Sequence, residues 1–155
     1  MDETATALAT AATLERSLHE RIPLSRAMGL HVRAATPNAV TVRAPLAPNV
    51  NHSGTVFGGS AAAVAVLAAW SLVEVRLGAA GMTGRIVIRR SEMEFLRPIG
   101  GEFDATASTP DDASWDRLLA TLRRGRMGRI TVRAVLGCEG ETVGELLAEF
   151  AVLPA

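Results

Sequence analysis

The chain has 155 residues, 48% of them hydrophobic, with 16 basic and 16 acidic residues. This length and composition indicate one folded domain, and the zero net charge with a pI near 6.8 argues against a broadly cationic nucleic-acid-binding protein. All basic residues are Arg, so the absence of Lys excludes Schiff-base chemistry and a lysine general base, and the absence of Tyr excludes a phenolic acid.

The cysteine count and the N-terminus indicate where the protein works. Cys138 is the only cysteine, which excludes an internal disulfide, and no spacing of Cys or His is typical of a metal site. We therefore expect no metal, no other cofactor and a cytoplasmic location. The chain begins with acidic residues rather than a basic and then apolar segment, so no signal peptide is predicted.

The first half of the chain alternates between helical and strand patterns. Residues 4–20 predict an Ala-rich helix, and residues 22–29 predict a short helical turn closed by Gly29. Two strand-like segments surround Pro37 and Asn38, which predicts a hairpin. An apolar helix follows from about Phe57 to about Leu77. It is long enough to span a membrane, but its Ala content and its position between strands favour a soluble core helix, so no membrane association is expected.

The second half is predicted to be mostly β-structure. Residues 84–99 alternate, which places Val87, Arg89, Ser91, Met93 and Phe95 on one side of a strand. A strand is also predicted within residues 102–109. Residues 111–125 predict a helix, because acids stand at its start and basic residues at its end, followed by Gly125. Its buried stripe is predicted to be Trp115, Leu118, Leu119 and Leu122.

The last two strands predict their own pairing. Arg133 with Glu145 and Arg129 with Glu149 share Glu139 as their midpoint, so a hairpin turning at 138–140 would set both pairs of opposite charges face to face. The inward residues would then be Ile130, Val132, Ala134, Leu136, Leu146, Ala148, Phe150 and Val152. Six strands and one long apolar helix predict a single α+β domain over residues 1–155, with the first 20 or so residues as a helical extension.

Two motifs resemble one family. The segment PLAPNVNHSGTVFGGS, residues 45–60, opens the apolar helix, and an S-x-x-x-F/Y-L-R-P strand runs from Ser91 to Pro98. Together they resemble hot-dog-fold thioesterases, in particular a bacterial branch that shares the N-H-x-G-T-x-F-G-G-S element. The resemblance covers roughly residues 22–152. It implies the hot-dog fold, an antiparallel sheet wrapped around one long helix, and a homodimer or dimer of dimers with sites between subunits.

The resemblance also implies a function and a set of site residues. The substrate would be an acyl-CoA or acyl-carrier-protein thioester, with the Gly58 and Gly59 amides stabilising an oxyanion while Asn51 and His52 position or deprotonate water. One position departs from a related type of hot-dog thioesterase, in which a histidine precedes the glycine pair and an acid follows on the helix. Here Phe57 replaces that histidine, and the helix has no acid before Glu74.

Each candidate residue also has a structural explanation. The two glycines could serve only close packing, and His52 and Asn51 could serve only to shape their loop. Five further residues are predicted to contact substrate, although some of them could cap the helix or bond the backbone instead: Asn49, Thr55, Phe57, Ser60 and Ser91.

Three functional classes follow from these observations. The first is an acyl-thioester hydrolase. The second is a non-hydrolytic lyase or conjugate-addition enzyme, in which His52 moves a proton next to a carboxyl or thioester carbonyl, since that chemistry needs no activated water. The third is a non-catalytic acyl-binding protein. In both enzyme hypotheses, we expect His52 to face the Gly58–Ser60 helix start of the partner subunit.

Overall fold

The computed structural model describes residues 2–108 and 110–155, with the backbone but not the side chains of residues 4–9. The helices are α1 (Glu3–Arg21), α2 (Pro23–Ala27), α3 (Gly58–Ala79) and α4 (Asp112–Arg123). The strands are β1 (His31–Ala35), β2 (Ala39–Ala44), β3 (Gly84–Phe95), β4 (Phe103–Ser108), β5 (Gly128–Cys138) and β6 (Glu141–Pro154). The helices and strands predicted from the sequence are all present, with end points shifted by a few residues.

The six strands form one antiparallel sheet in the order β1-β2-β4-β5-β6-β3. Helix α3 packs against β2, β3, β4, β5 and β6, so the sheet curves around it. The contact surface of α3 is built from small and branched side chains, among them Ala61, Val64, Ala65, Ala68 and Leu72, all buried. This is the hot-dog arrangement expected from the sequence.

Helix α3 has the length and apolar composition of a membrane span, yet just over half of its most apolar stretch is already buried within the protein itself. The uncovered side is a stripe of half-buried residues at helical spacing, Ala62, Ala63, Val66 and Trp70. The helix therefore has the environment of a core element with one open side.

The other helices close the ends of this core. Helix α1 packs on β1, and α4 packs on β5 and β6 with Trp115, Leu118, Leu119 and Leu122 buried, as the sequence predicted. Arg76 links α3 to α4 and to the turn between β1 and β2: its guanidinium lies 4.8 Å from the centre of the Trp115 ring and donates to the Pro37 carbonyl at 2.8 Å. The N-terminus of α4 is capped by the Asp111 carboxylate, which accepts from the Ser114 amide at 2.8 Å.

The β5–β6 hairpin has the predicted faces but not the predicted register. All eight residues predicted to face inward are buried. However, Arg133 lies opposite Leu147 and Arg129 opposite Ala151. The turn contains only Glu139 and Gly140, both with positive φ, and a bulge near Val143 adds one residue to β6. Together these shift the register by two residues, which preserves the faces.

One of the two predicted ion pairs survives this shift. Arg133 reaches Glu145 diagonally at 2.7 Å, whereas Glu149 pairs with Arg89 of β3 at 2.9 Å rather than with Arg129. The prediction of an Arg129–Glu149 pair was therefore wrong.

Strand β3 also departs from simple alternation. A bulge between Ile88 and Arg90 reverses the pattern, so that Ile88 lies opposite the buried Phe150 while Ser91 lies opposite the buried Ala148. Ser91, Met93 and Phe95 share the inner face as predicted. Val87 lies opposite Ala151 on the outer face, so its predicted position was wrong.

Two serines of the core differ in whether their hydroxyl groups are hydrogen-bonded. Ser25 and Ser71 are both fully buried, and Ser25 donates to the Ile22 carbonyl at 2.8 Å, whereas the Ser71 hydroxyl has no partner in the part of the chain that the structure describes. We expect Ser71→Ala to raise the free energy of unfolding by about 1 kcal/mol and Ser25→Ala to lower it by about the same amount. Chemical denaturation of both variants measures the difference, and a loss of stability in Ser71→Ala would show that its hydroxyl is satisfied.

Candidate functional site

The loop before α3 is a small closed hairpin. Val50 and Val56 form an antiparallel bridge, the Asn51 amide N–H donates to the Thr55 carbonyl at 2.7 Å, and Gly54 takes a positive φ at the tip. The Val56 N–H also donates to the Ile99 carbonyl at 2.8 Å, which fixes the loop against the chain that follows β3. The loop therefore holds its tip, residues 52–54, in one place.

The Asn51 side chain organises this hairpin. Its Oδ1 accepts from the Ser53 and Thr55 amides at 2.8 and 3.1 Å. Its Nδ2 donates to Thr55 Oγ1 at 3.0 Å and to the Val56 carbonyl at 3.4 Å. These bonds use both donor hydrogens and both acceptor positions, so the amide is satisfied within its own loop.

Asn49 lies in an environment different from the one expected of a substrate contact. It is only 2% exposed, and its Nδ2 donates to the Met28 and Pro45 carbonyls at 2.9 and 2.8 Å. Its own carbonyl accepts from the Phe57 amide at 2.7 Å. Asn49 therefore ties α2, β2 and the start of α3 together from inside the protein.

The N-terminus of α3 is open. The Ala61 amide is the first to bond within the helix, to the Phe57 carbonyl at 3.0 Å, which leaves the amides of Gly58, Gly59 and Ser60 without a helical acceptor. The residue at the cap position is Phe57, and no side chain caps the helix there. No bond from the Thr55 or Ser60 hydroxyl to an amide of the helix start is found among the described residues. Three N–H groups at the positive end of the helix dipole are thus available to an acceptor.

Two phenyl rings flank these amides. A Cβ added to Gly59 would overlap Cε1 of Phe57, and one added to Gly58 would lie 3.4 Å from Cε1 of Phe95. Both rings are 58% exposed, whereas Phe103 and Phe150 are buried. The glycines thus allow the two rings to lie against the backbone at the helix start.

A pocket opens beside the helix start. It has a volume of about 390 Å³ and is lined mainly by apolar residues of the loop, of α3 and of the segment after β3, including Val56, Ala61, Phe95, Leu96 and Ile99. Thr55 and Gly58 also line it, which brings these two predicted residues together at one site.

The remaining predicted residues have fewer contacts. His52 is exposed at the loop tip, and no hydrogen bond of its ring is found among the described residues. His19 bonds the Leu30 carbonyl and His31 pairs with Glu15, so these two have structural partners. Ser91 is exposed, because β3 is the edge of the sheet, and it lies on the inner face.

No carboxylate of α3 is close to the helix start. Glu74 is the first acid of the helix, and at 1.5 Å per residue it stands about 24 Å beyond Gly58. It also binds Arg21, with Oε1 and Nη1 2.6 Å apart. The geometry therefore agrees with the departure noted in the sequence: the subunit places no acid from α3 at the open amides.

Known proteins share this architecture and most of the chain. The model of the family described as "Putative thioesterase (yiiD_Cterm)" matches residues 11–154. The chain belongs to this family.

Solved structures agree with this membership in the yiiD_Cterm thioesterase family. A thioesterase-like protein from Shewanella oneidensis superposes with a TM-score of 0.86 at 26% identity, covering 94% of this chain and 99% of that one. A protein from Pseudomonas aeruginosa, described as a "Probable Thioesterase", gives 0.78 at 25% identity, with 93% and 96% covered. A protein of unknown function from Chlorobaculum tepidum gives 0.87 at 23% identity, with 94% of each chain covered, which shows the shared fold.

Sequence reasoning missed part of this site. Phe95 was assigned only to a strand face, and the wall formed by Leu96 and Ile99 was not predicted. The signal was present in the F-L-R-P element that carries the resemblance, because it places apolar residues directly after an edge strand. What the sequence could not show is that this segment folds back against residues 55–61.

The glycine pair generates a prediction. In Gly59→Ala the new methyl group must displace the Phe57 ring, whereas in Gly58→Ala it meets Phe95 at an ordinary contact distance. We expect Gly59→Ala to lower the turnover of an acyl thioester at least about tenfold with little change in Tm, because only a flexible ring moves, and Gly58→Ala to stay within about threefold. Steady-state kinetics and thermal melts of both variants measure this, and equal activities would show that the position of the Phe57 ring has no role.

Proposed function

We propose that the protein hydrolyses acyl thioesters of coenzyme A or of an acyl carrier protein. The observation that carries this proposal is the open start of α3, where three unbonded amides lie beside an apolar pocket in a chain of a thioesterase family. A thioester presents one carbonyl oxygen attached to a largely apolar acyl group. At this site the amides can bind the carbonyl oxygen, and the apolar pocket can hold the acyl group.

The amides supply the electrostatic part of the mechanism. When water attacks the thioester carbon, its carbonyl oxygen becomes an oxyanion, and the Gly58 and Gly59 amides donate to it. The Ser60 amide extends the same set of donors. A single donor of this kind contributes about 10²–10³ in rate in enzymes that use them. Phe57, Phe95 and the pocket walls exclude water from the acyl group and hold the carbonyl against the helix.

His52 supplies the base. It is the histidine without an intramolecular partner among the described residues, and a neutral imidazole nitrogen can accept a proton from water. Asn51 positions it, because the bonds of its amide to Ser53 and Thr55 fix the residues on both sides of the tip. In this mechanism His52 takes a proton from water as the water oxygen adds to the carbonyl carbon, which gives a tetrahedral intermediate. The C–S bond then breaks while His52 returns that proton to the sulfur, so that a thiol and a carboxylic acid are released.

The base and the amides belong to different subunits of a homodimer in this proposal. Strand β3 is 12 residues long, forms one edge of the sheet, and exposes Ile88 and Phe95. An edge of this length with exposed apolar side chains is suited to pairing with a second strand. Pairing of β3 with its own copy covers that edge and brings a second loop to the open side of α3.

The charges on β3 favour one register for this pairing. From Arg90 to Phe95, Arg90, Glu92 and Glu94 point outward, while Ser91 and Met93 point inward. Residues that lie opposite each other in two paired strands share a face of the sheet. When β3 pairs with its own copy, this holds only if the two-fold axis passes through a residue rather than between two residues. An axis at Ser91 sets Arg90 opposite Glu92 of the partner subunit, whereas an axis at Arg90 or Glu92 sets like charges together. We therefore place the axis at Ser91, which puts this predicted substrate-contacting residue on the face that carries both α3 helices.

A second candidate rests on the missing acid. Since no α3 carboxylate is available to activate water, His52 alone could instead remove a proton next to the thioester carbonyl, with the glycine amides stabilising the enolate. The enzyme would then be a lyase or a conjugate-addition enzyme acting on a β-substituted or unsaturated acyl group. Mass spectrometry of the products separates the two, because hydrolysis releases free thiol and elimination retains the thioester.

The hydrolysis proposal is tested with a panel of acyl-CoAs of increasing chain length, and thiol release is followed. We expect turnover with at least one chain class and a roughly 100-fold lower kcat in His52→Ala, the usual scale for a lost general base. His31→Ala is the control, because that side chain is exposed and pairs only with Glu15. Absence of thiol release with every acyl group contradicts the proposal, and normal turnover by a dimeric His52→Ala removes the histidine from the mechanism.

The register of the dimer is tested by exchanging charges. Arg90→Glu and Glu92→Arg should each weaken the dimer, because each sets like charges opposite one another across the axis, and the double variant Arg90→Glu/Glu92→Arg should restore it. Sedimentation velocity measures the dimer fraction, and Arg26→Glu on α2 is a control that leaves β3 unchanged. A double variant whose dimer fraction is no higher than that of the single variants contradicts an axis at Ser91.

A further inference from the structure

The sheet has a notch on its outer face, remote in sequence from the helix start. Strand β4 ends at Ser108, which lies opposite Arg133, while β5 begins five residues earlier, at Gly128. The β5 segment 128–132 is therefore paired with β6 on one side, and on the other side no strand pairs with it among the described residues. Part of its backbone N–H and C=O groups consequently face the notch rather than a neighbouring strand.

The notch is concave, and its lining is about half polar and half apolar. It encloses about 630 Å³, and three guanidinium and three hydroxyl groups line it. These belong to Arg117, Arg129, Arg133, Ser108, Ser114 and Thr131. The chain as a whole has no net charge, so this is a local excess of positive charge rather than an average property of the surface.

The arginines are only partly neutralised. Arg133 binds Glu145 at 2.7 Å. Arg117 donates to Ser114 Oγ at 3.3 Å and also interacts electrostatically with Asp111, and Arg129 has no ion pair among the described residues. The carboxylate that lines the notch is Asp111, and it accepts from Ser114 N and Oγ. These bonds hold the pKa of Asp111 below its usual range, so it is ionised, and the lining groups retain a net positive charge.

We propose that this notch binds the diphosphate group of a small phosphorylated ligand. Arg129, Thr131 and Arg133 alternate along one face of β5, so the two arginine Cα atoms are about 13 Å apart and their side chains can approach one anion from both ends. Guanidinium groups bind phosphate oxygens through paired N–H donors, and hydroxyls complete the set. A single compact anion leaves most of the notch unfilled, whereas a diphosphate spans more of the distance between the arginines.

The diphosphate could belong to a free nucleotide or to coenzyme A. Binding of this group at the notch does not require that the protein hydrolyses thioesters. The test is isothermal titration calorimetry at low ionic strength with pyrophosphate, ADP and coenzyme A. We expect binding of all three, weakened by added salt. Binding of coenzyme A alone would overturn the proposal, because it would locate recognition outside the diphosphate.

Two variants decide whether the notch is the site. We expect Arg129→Gln to weaken pyrophosphate binding at least about tenfold, on the scale of one charge-assisted hydrogen bond. Arg123→Gln is the matched control, since this arginine lies at the end of α4 and outside the notch. Both positions are exposed, so thermal melts should match the wild type. No pyrophosphate binding at about 10 mM, or equal binding by wild type and Arg129→Gln, would overturn the proposal.

Discussion

Helix α3 has to be removed from water. From Ala61 to Val73 its side chains carry one hydroxyl and one indole N–H as their only polar groups, and each buried branched side chain contributes about 1.5–3 kcal/mol. No flat sheet covers a helix on most of its circumference, so six strands curve around it and leave one stripe open. The same curvature leaves β3 as a long edge strand and places the N-terminus of α3 at the rim. The candidate site is therefore at the end of the core helix, where burial stops.

Hydrophobic patterning predicted this architecture because it records which side of each element faces α3. Alternation in β5 and β6 identified all eight inward residues, since a shift of two residues leaves every face unchanged. It could not give the register, because a two-residue turn and a bulge near Val143 are backbone events that polar side-chain spacing does not encode. The bulge in β3 had the same effect on Val87. Burial determines which side chains of a strand face the core, whereas turns and bulges determine which residues of two paired strands lie opposite each other.

The site was predicted less completely, for a different physical reason. The motif located the loop and the glycines, but an amide side chain has the same donors and acceptors whether it binds a ligand or its own backbone. Only coordinates distinguish Asn51, which bonds its own hairpin, from Asn49, which bonds Met28 and Pro45 in the interior. Phe95 was missed because alternation assigns it to the inner face, and it is exposed only because that face ends where the sheet does.

The exposure of aromatic residues points to what the helix start binds. The chain has four phenylalanines and no tyrosine, and two of the four are buried while Phe57 and Phe95 are 58% exposed. Folding alone favours burial of all four, since a phenyl ring in water forgoes about 1.5–3 kcal/mol. Both exposed rings lie against Gly58 and Gly59, whose amides have no hydrogen-bond partner among the described residues. A ligand that has both an acceptor oxygen and an apolar body satisfies the unmet apolar surface and the unmet donors together. Bulk water offers acceptor oxygens but no apolar contact. A protein surface made only of apolar side chains offers apolar contact but no acceptor oxygen. A thioester carbonyl attached to an acyl chain supplies both, which is why the hydrolase proposal accounts for these rings as well as for the amides.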